Sequence, residues 1–167
     1  MKALRSRHGI TMIELMSVVV IIGIIAAMAG PRFSQTISRL KFRTAARNLV
    51  SKLRLARSNA ITHKQPFGVH LNNDNMTLTV FLDSNNPGAS TFESADSVVV
   101  IDTLPNGFVY VGTDFGAPAV VYRPNGSASS TGHVYFMSYD VHDGINIGSI
   151  AVLASTGRTK IDAMNFY

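Results

Sequence analysis

The feature that most constrains the fold is an apolar segment of twenty-two residues, 10–31, close to the N-terminus. It contains no basic residue and a single acidic one, Glu14. An α-helix of this length is about 33 Å long, which is enough to cross a hydrocarbon core of about 30 Å. A carboxylate inside a membrane costs about 2.5–3.5 kcal/mol on insertion scales. We therefore expect Glu14 to have a functional partner.

A short basic leader, residues 1–9, precedes this segment and ends at Gly9. Its basic side chains are Lys2, Arg5, Arg7 and His8. The string GITMIEL at 9–15 resembles the cleavage region of type IV prepilins and pseudopilins. The resemblance implies that a prepilin peptidase cuts between Gly9 and Ile10 and N-methylates Ile10. The leader is removed, and the apolar helix stays on the mature protein.

The same resemblance assigns roles to two residues within the apolar segment. Glu14 is the assembly residue, which meets the free amine of a neighbouring subunit, and Pro31 kinks the helix. The resemblance also implies a single pass through the bacterial inner membrane, in contact with its lipids. The head then lies on the periplasmic, extracytoplasmic side before the subunit enters a pilus or pseudopilus.

Two other interpretations of this segment stay open. An ordinary secretory signal also has a basic start, an apolar core and a small-residue cut site, which residues 27–29 would provide. That cut would release a soluble protein beginning at Gly30. A plain membrane anchor is the third possibility. The length of the apolar run and the position of Glu14 favour the prepilin interpretation.

Beyond Pro31 the sequence predicts that the helix resumes as an amphipathic element. Apolar residues recur at steps of three and four as far as Ala60, and Pro66 bars continuation. We therefore predict one long helix over about 11–63. This helix lies within the region 10–64, of which 10–31 is the transmembrane part. The second half of the helix is predicted to pack on the head.

The remaining residues, 65–167, predict a β-rich head. Short β-branched and aromatic runs alternate with turns rich in Asn, Gly and Pro, and residues 84–95 are predicted to form an exposed loop. The predicted strands are 67–71, 76–82, 97–101, 108–111, 119–122, 133–139, 147–154 and a short one at 158–161. The fold class is α+β, with the long helix packed on an antiparallel β-sheet or small β-sandwich.

Composition offers little support for an enzyme. The chain has no cysteine, so it has neither disulfides nor thiol ligands. No two of its five histidines sit at metal-ligand spacing on a helix face, and there is no phosphate-binding glycine loop. His142 and Asp143 could be half of a triad, but they lie in a predicted turn. No catalytic residue, metal or cofactor is expected.

Charge is unevenly distributed along the chain. Residues 32–64 contain nine basic residues and no acidic one, whereas residues 65–167 contain three basic and nine acidic residues. The basic residues of 32–64 could contact anionic lipids before assembly or acidic faces of neighbouring heads afterwards, or they could simply be solvated.

Three later strings are similar to the GspH/FimT family of minor pilins and pseudopilins. They are LRLARSNAI at 53–61, YRPNG at 122–126 and GRTK at 157–160. The resemblance implies a minor type IV pilin that assembles with other pilin subunits and supports pilus assembly. A type II secretion minor pseudopilin, acting in protein export, is the main alternative. A secreted soluble β-domain that acts as a binding module is a remote one.

The last string raises a second function, competence for DNA uptake. In FimT-type pilins of DNA-uptake systems a Gly-Arg-x-Arg/Lys motif contacts DNA, which makes Gly157, Arg158 and Lys160 candidates. Residues two apart on a strand point the same way, so Arg158 and Lys160 could hold neighbouring phosphates of double-stranded DNA without reading sequence. Alternatively, they are a cationic strand end that pairs with acids such as Asp162.

Overall fold

A computed structural model describes residues 10–86, 91–141 and 144–167, with the side chains of 29–32 excepted. The leader with Gly9, the side chain of Pro31, and His142 and Asp143 therefore lie outside the described residues. Within them the chain forms one long helix followed by eight strands. The α+β class predicted from the sequence is confirmed.

The helix, α1, spans Met12–His63 and is followed by a left-handed residue, Lys64, with φ 57°. Pro66 comes two residues later and cannot continue a helix, as the sequence predicts. The helical assignment runs through 29–32 without interruption. The kink at Pro31 stays a prediction.

The strands form two four-stranded antiparallel sheets. Their bounds are β1 Phe67–Asn72, β2 Thr77–Leu82, β3 Ser97–Thr103, β4 Phe108–Thr113, β5 Ala119–Tyr122, β6 Gly132–Asp140, β7 Gly144–Val152 and β8 Thr159–Phe166. The first sheet has the order β3-β2-β1-β5 and the second the order β4-β6-β7-β8. Strand β8 therefore lies at an edge, and α1 packs against residues of both sheets.

One hydrophobic core joins the second half of α1 to both sheets. Its helical members are Phe42, Ala45, Ala46, Leu49, Val50, Leu53, Ala56 and Ala60. They follow the steps of three and four predicted from the sequence. They pack against inward-facing residues such as Val80 and Val120 in one sheet and Phe136 and Ile150 in the other. The head is therefore built around the helix from Phe42 onward.

Two local predictions were wrong. The last strand has eight residues instead of four, because a bulge at Asp162 shifts its alternation and turns Met164 and Phe166 toward the core. The loop at 84–95 is not wholly exposed. Phe92 packs against Phe81 on the outer side of the first sheet, and backbone amides of the loop donate to the buried Asp96 carboxylate.

Candidate functional sites: the apolar stem and a basic groove

The first half of α1 exposes an unusually large apolar surface. By length and composition this helix could cross a membrane. Its apolar side chains from Met12 to Met28 are 49–78 % exposed, whereas Phe42 is 1 % exposed. Soluble monomers rarely expose contiguous apolar patches of such size, and those that do use them for membranes or partner proteins. We call residues 10–31 the apolar stem.

Glu14 lies exposed in the first turn of the apolar stem. Its backbone N–H donates to the Thr11 hydroxyl oxygen at 3.3 Å, so Thr11 is the N-cap of α1. Thr11 is not among the functional residues predicted from the sequence, although the spacing Thr-x-x-Glu is a common signal for the start of a helix. A carboxylate in the first turn is also favoured by the helix dipole. The helix start therefore fixes where Glu14 is placed.

A tight junction holds the C-terminal part of α1 to the head. The Arg57 Nε–H donates to the carbonyl oxygen of Gly126 at 3.0 Å. A Cβ built at Gly157, where φ is +60°, would overlap that same oxygen and lie 2.9 Å from Arg57 Nε. Burial raises the pKa of the Tyr122 phenol, and the positive charge of Arg57 acts in the opposite direction. All three strings resembling the GspH/FimT family contribute to this junction.

Several basic side chains of α1 have partners in the head. The guanidinium groups of Arg39 and Arg43 lie 5.4 Å and 5.5 Å from the centre of the Phe166 ring. Lys52 Nζ lies 3.1 Å from Asp102 Oδ2, the oxygen to which Asn48 also donates, at 2.8 Å. The hydrogen bond from Asn48, together with Lys52, holds the pKa of Asp102 below its usual range. These contacts attach the helix to β3 and β8.

A groove runs between α1 and the start of β8, and we call it the basic groove. One part, of about 480 Å³, is lined by Arg47, Arg54, Arg158 and Lys160 among others. A second part, of about 310 Å³, is also lined by Arg54 and Arg158. In the described chain no acidic residue lines either part. The groove therefore concentrates positive charge contributed by two separate elements.

The structure places the predicted DNA candidates differently from one another. Arg158 and Lys160 are exposed and Thr159 between them is buried, so the expected alternation is present although β8 begins at Thr159. Gly157 is buried in the junction with Arg57, where it has a packing role. Asp162 has no ion pair with Arg158 or Lys160 among the described residues. Arg47 and Arg54 were not predicted to belong to this site, because the packing of α1 beside β8 is a long-range contact.

The only ionic contact of a histidine in the described chain joins His133 to Asp114. His133 Nδ1 lies 3.2 Å from Asp114 Oδ2, and the Tyr135 hydroxyl donates to the same oxygen at 3.4 Å. The three side chains lie near the surface of the second sheet. No group of three or more His, Asp or Glu residues within 10–86, 91–141 and 144–167 could hold a metal ion.

A family model described as type II transport protein GspH matches residues 45–155, about two thirds of the chain. This chain belongs to the GspH family. The match includes the strings at 53–61 and 122–126 but ends before the string at 157–160. A second model, the prokaryotic N-terminal methylation motif, matches residues 4–30. That match contains the string at 9–15, which carried the prepilin resemblance.

Solved structures have the same fold as this GspH-family chain. The minor pseudopilin EpsH from the type 2 secretion system of Vibrio cholerae aligns with a TM-score of 0.52 at 18 % identity, covering 72 % of this chain and 95 % of EpsH. The type IV minor pilin FimU of Pseudomonas aeruginosa aligns with a TM-score of 0.53 at 15 % identity, covering 75 % and 91 %. A comparison with curated proteins gave no match. The fold is pilin-like.

Proposed function

We propose that this GspH-family chain is a minor subunit of a type IV pilus or of a type II secretion pseudopilus, anchored in the inner membrane before assembly. The observation that carries the proposal is the division of α1. Its first half is an exposed apolar stem with one carboxylate, and its second half is the central element of the head core. EpsH and FimU, which share the fold, are a minor pseudopilin and a minor pilin.

The proposal includes a processing step. A prepilin peptidase cuts between Gly9 and Ile10 and methylates Ile10, which leaves Glu14 in the first turn of the mature helix. Intact mass of the protein extracted from membranes tests this step, and the expected product begins at methylated Ile10. A product that begins at Gly30 would instead support a secreted soluble domain and would contradict the anchor.

Glu14 is proposed to pair with the N-terminal amine of a neighbouring subunit. We expect Glu14→Gln to lower incorporation into filaments by a factor of about a hundred to a few thousand, because removing one member of a buried ion pair costs about 3–5 kcal/mol and each 1.4 kcal/mol is about tenfold. The measurement is the ratio of this chain in sheared filaments to that in the membrane fraction. Ser17→Ala is the matched control, since Ser17 lies one turn away and donates only to the backbone oxygen of Glu14.

Equal incorporation of the Glu14→Gln and wild-type chains would contradict the role of Glu14. Absence of the wild-type chain from every filament fraction would contradict the assembly proposal itself. The proteins recovered together with the wild-type chain distinguish a type IV pilus from a type II secretion pseudopilus. Type IV pilins are expected for a pilus, and secretion pseudopilins for the alternative role in protein export.

Contact with double-stranded DNA is a second candidate function, relevant to DNA uptake. It is supported by the exposed Arg158 and Lys160, which face the same groove and lack carboxylate partners in the described chain. Each phosphate neutralised contributes about −0.9 to the slope of log affinity against log salt. We expect Arg158→Gln with Lys160→Gln to flatten that slope by about 1.8, measured by fluorescence anisotropy in non-ionic detergent. An unchanged slope would contradict DNA contact at these residues.

A further inference from the structure

The basic groove contains two helical cations to which the family resemblance assigned no role, Arg47 and Arg54. Arg47 and Arg54 are seven residues apart, which is two helical turns, so they lie on the same side of α1 and about 10.5 Å apart along its axis. Both are exposed. Across the groove they face Arg158, which directly precedes the edge strand β8, and Lys160 within that strand. Four positive side chains therefore meet in one recess.

These four side chains differ from the other cations that attach α1 to the head. Arg43 packs on Phe166, Lys52 pairs with Asp102, and Arg57 donates to Gly126. For Arg47, Arg54, Arg158 and Lys160 no ion pair occurs among the described residues. Because like charges gathered without counter-charges repel one another, such a recess favours an external anion.

Position excludes membrane phosphates as that anion. Arg47 is sixteen residues beyond Pro31, so it lies about 24 Å past the end of the apolar stem along the helix. The headgroup layer extends only about 5–8 Å beyond the hydrocarbon core. If α1 continues straight out of the bilayer, the groove lies out of reach of the membrane headgroups.

Charge spacing disfavours a second copy of this chain. In residues 65–167 no two acidic residues are closer than three positions apart in sequence, and where the fold brings Asp83 and Asp96 together with Glu93, both aspartates are buried. One strand of DNA presents a phosphate about every 3.4 Å along the axis, or about three over the distance between Arg47 and Arg54. A phosphodiester backbone supplies the density of negative charge that four neighbouring cations require.

We propose that Arg47 and Arg54 of the helix complete a phosphate-backbone site with Arg158 and Lys160, an inference that rests on the DNA contact proposed above. Within the described residues no aromatic side chain lines the groove, so they provide no ring on which a base could stack. Binding then depends on charge alone. A duplex, with twice the axial charge density of a single strand, binds more tightly than a single strand of the same length.

The test uses the full chain in non-ionic detergent and a fluorescent duplex of mixed sequence, titrated at several salt concentrations. Four phosphate contacts predict that log affinity plotted against log salt has a slope of about −3.6 for the wild type. Arg47→Gln with Arg54→Gln is expected to bring it to about −1.8 and to weaken binding by about tenfold to a hundredfold at 0.1 M salt. The matched control is Lys41→Gln with Lys64→Gln. It removes two exposed charges of the same region that do not line the groove, and its slope should stay unchanged.

Each contrary outcome is distinct. If the Arg47 and Arg54 variant keeps the wild-type slope while the Arg158 and Lys160 variant loses slope, the helical half of the site is rejected and the DNA contact stands. If neither variant changes the slope, both proposals fail. A polyglutamate peptide that displaces the duplex at equal charge concentration would show an acidic-peptide site and would also overturn the inference. Equal thermal unfolding of all variants establishes that the fold is retained.

Discussion

Replacing Phe42 by alanine is expected to lower the free energy of unfolding of the head by about 3–5 kcal/mol. Phe42 is 1 % exposed, and its ring centre lies 5.0 Å from that of Phe136, 5.7 Å from that of Phe108 and 5.9 Å from that of Phe166. These partners belong to three strands of the second sheet. Truncation removes the apolar contact area and leaves a cavity where the helix meets the sheet.

Thermal unfolding in non-ionic detergent, followed by near-ultraviolet circular dichroism of the tyrosines, measures this effect. For a unit of this size about 4 °C is lost per kcal/mol, so a decrease of roughly 12–20 °C is expected. Phe33→Ala is the matched control, because Phe33 lies on the same helix but is 69 % exposed. Equal melting temperatures for the two variants would contradict the view that the head is built on α1 from Phe42 onward.

Gly157→Ala is expected to lower the free energy of unfolding by about 2–4 kcal/mol, which is more than backbone strain alone would cost. A left-handed residue other than glycine costs about 1 kcal/mol. At Gly157 the added methyl group would also overlap the Gly126 carbonyl oxygen and crowd Arg57. The hydrogen bond between those two residues would then have to lengthen or break, which exposes the end of α1.

Gly116→Ala separates the cost of backbone strain from the cost of steric overlap. Gly116 also has a positive φ, +81°, but a Cβ built there meets no atom within 4 Å, so only the strain of about 1 kcal/mol is expected. The readout is urea unfolding of both variants in detergent. If Gly157→Ala costs no more than Gly116→Ala, the close packing of the junction is not a significant source of stability. If the dependence of the unfolding free energy on urea concentration has the same slope in both variants, they still unfold in the same manner.

The long helix and most strands were predictable from the sequence because local patterns determine them. The apolar run, the steps of three and four, and Pro66 set the course of α1, and β-branched runs between turns marked the strands. The full length of β8 was not predictable. One extra residue at Asp162 reverses which side chains point inward, and a bulge of this kind depends on pairing with β7.

The candidate site was predictable only in part. Arg158 and Lys160 were identified because the string GRTK resembles a DNA-contacting motif and spaces them two residues apart, and Glu14 because it is a lone charge in an apolar segment. Arg47 and Arg54 looked like members of a solvated helix face. Only the packing of α1 beside β8 brings them to Arg158 and Lys160, more than a hundred residues away in sequence. Long-range pairing of this kind leaves no local signature.

The continuity of α1 has a geometric consequence for the subunit. Residues 33–38 are exposed or half-buried and make no contribution to the core, so they act as a spacer between the apolar stem and the head. Each residue of an α-helix advances the chain by 1.5 Å and turns it by about 100°. The number of residues between Glu14 and Phe42 therefore sets both the distance of the head from Glu14 along the helix axis and the angle about that axis at which the head faces. One residue inserted in the spacer would swing the head by more than a quarter of a circle around the stem.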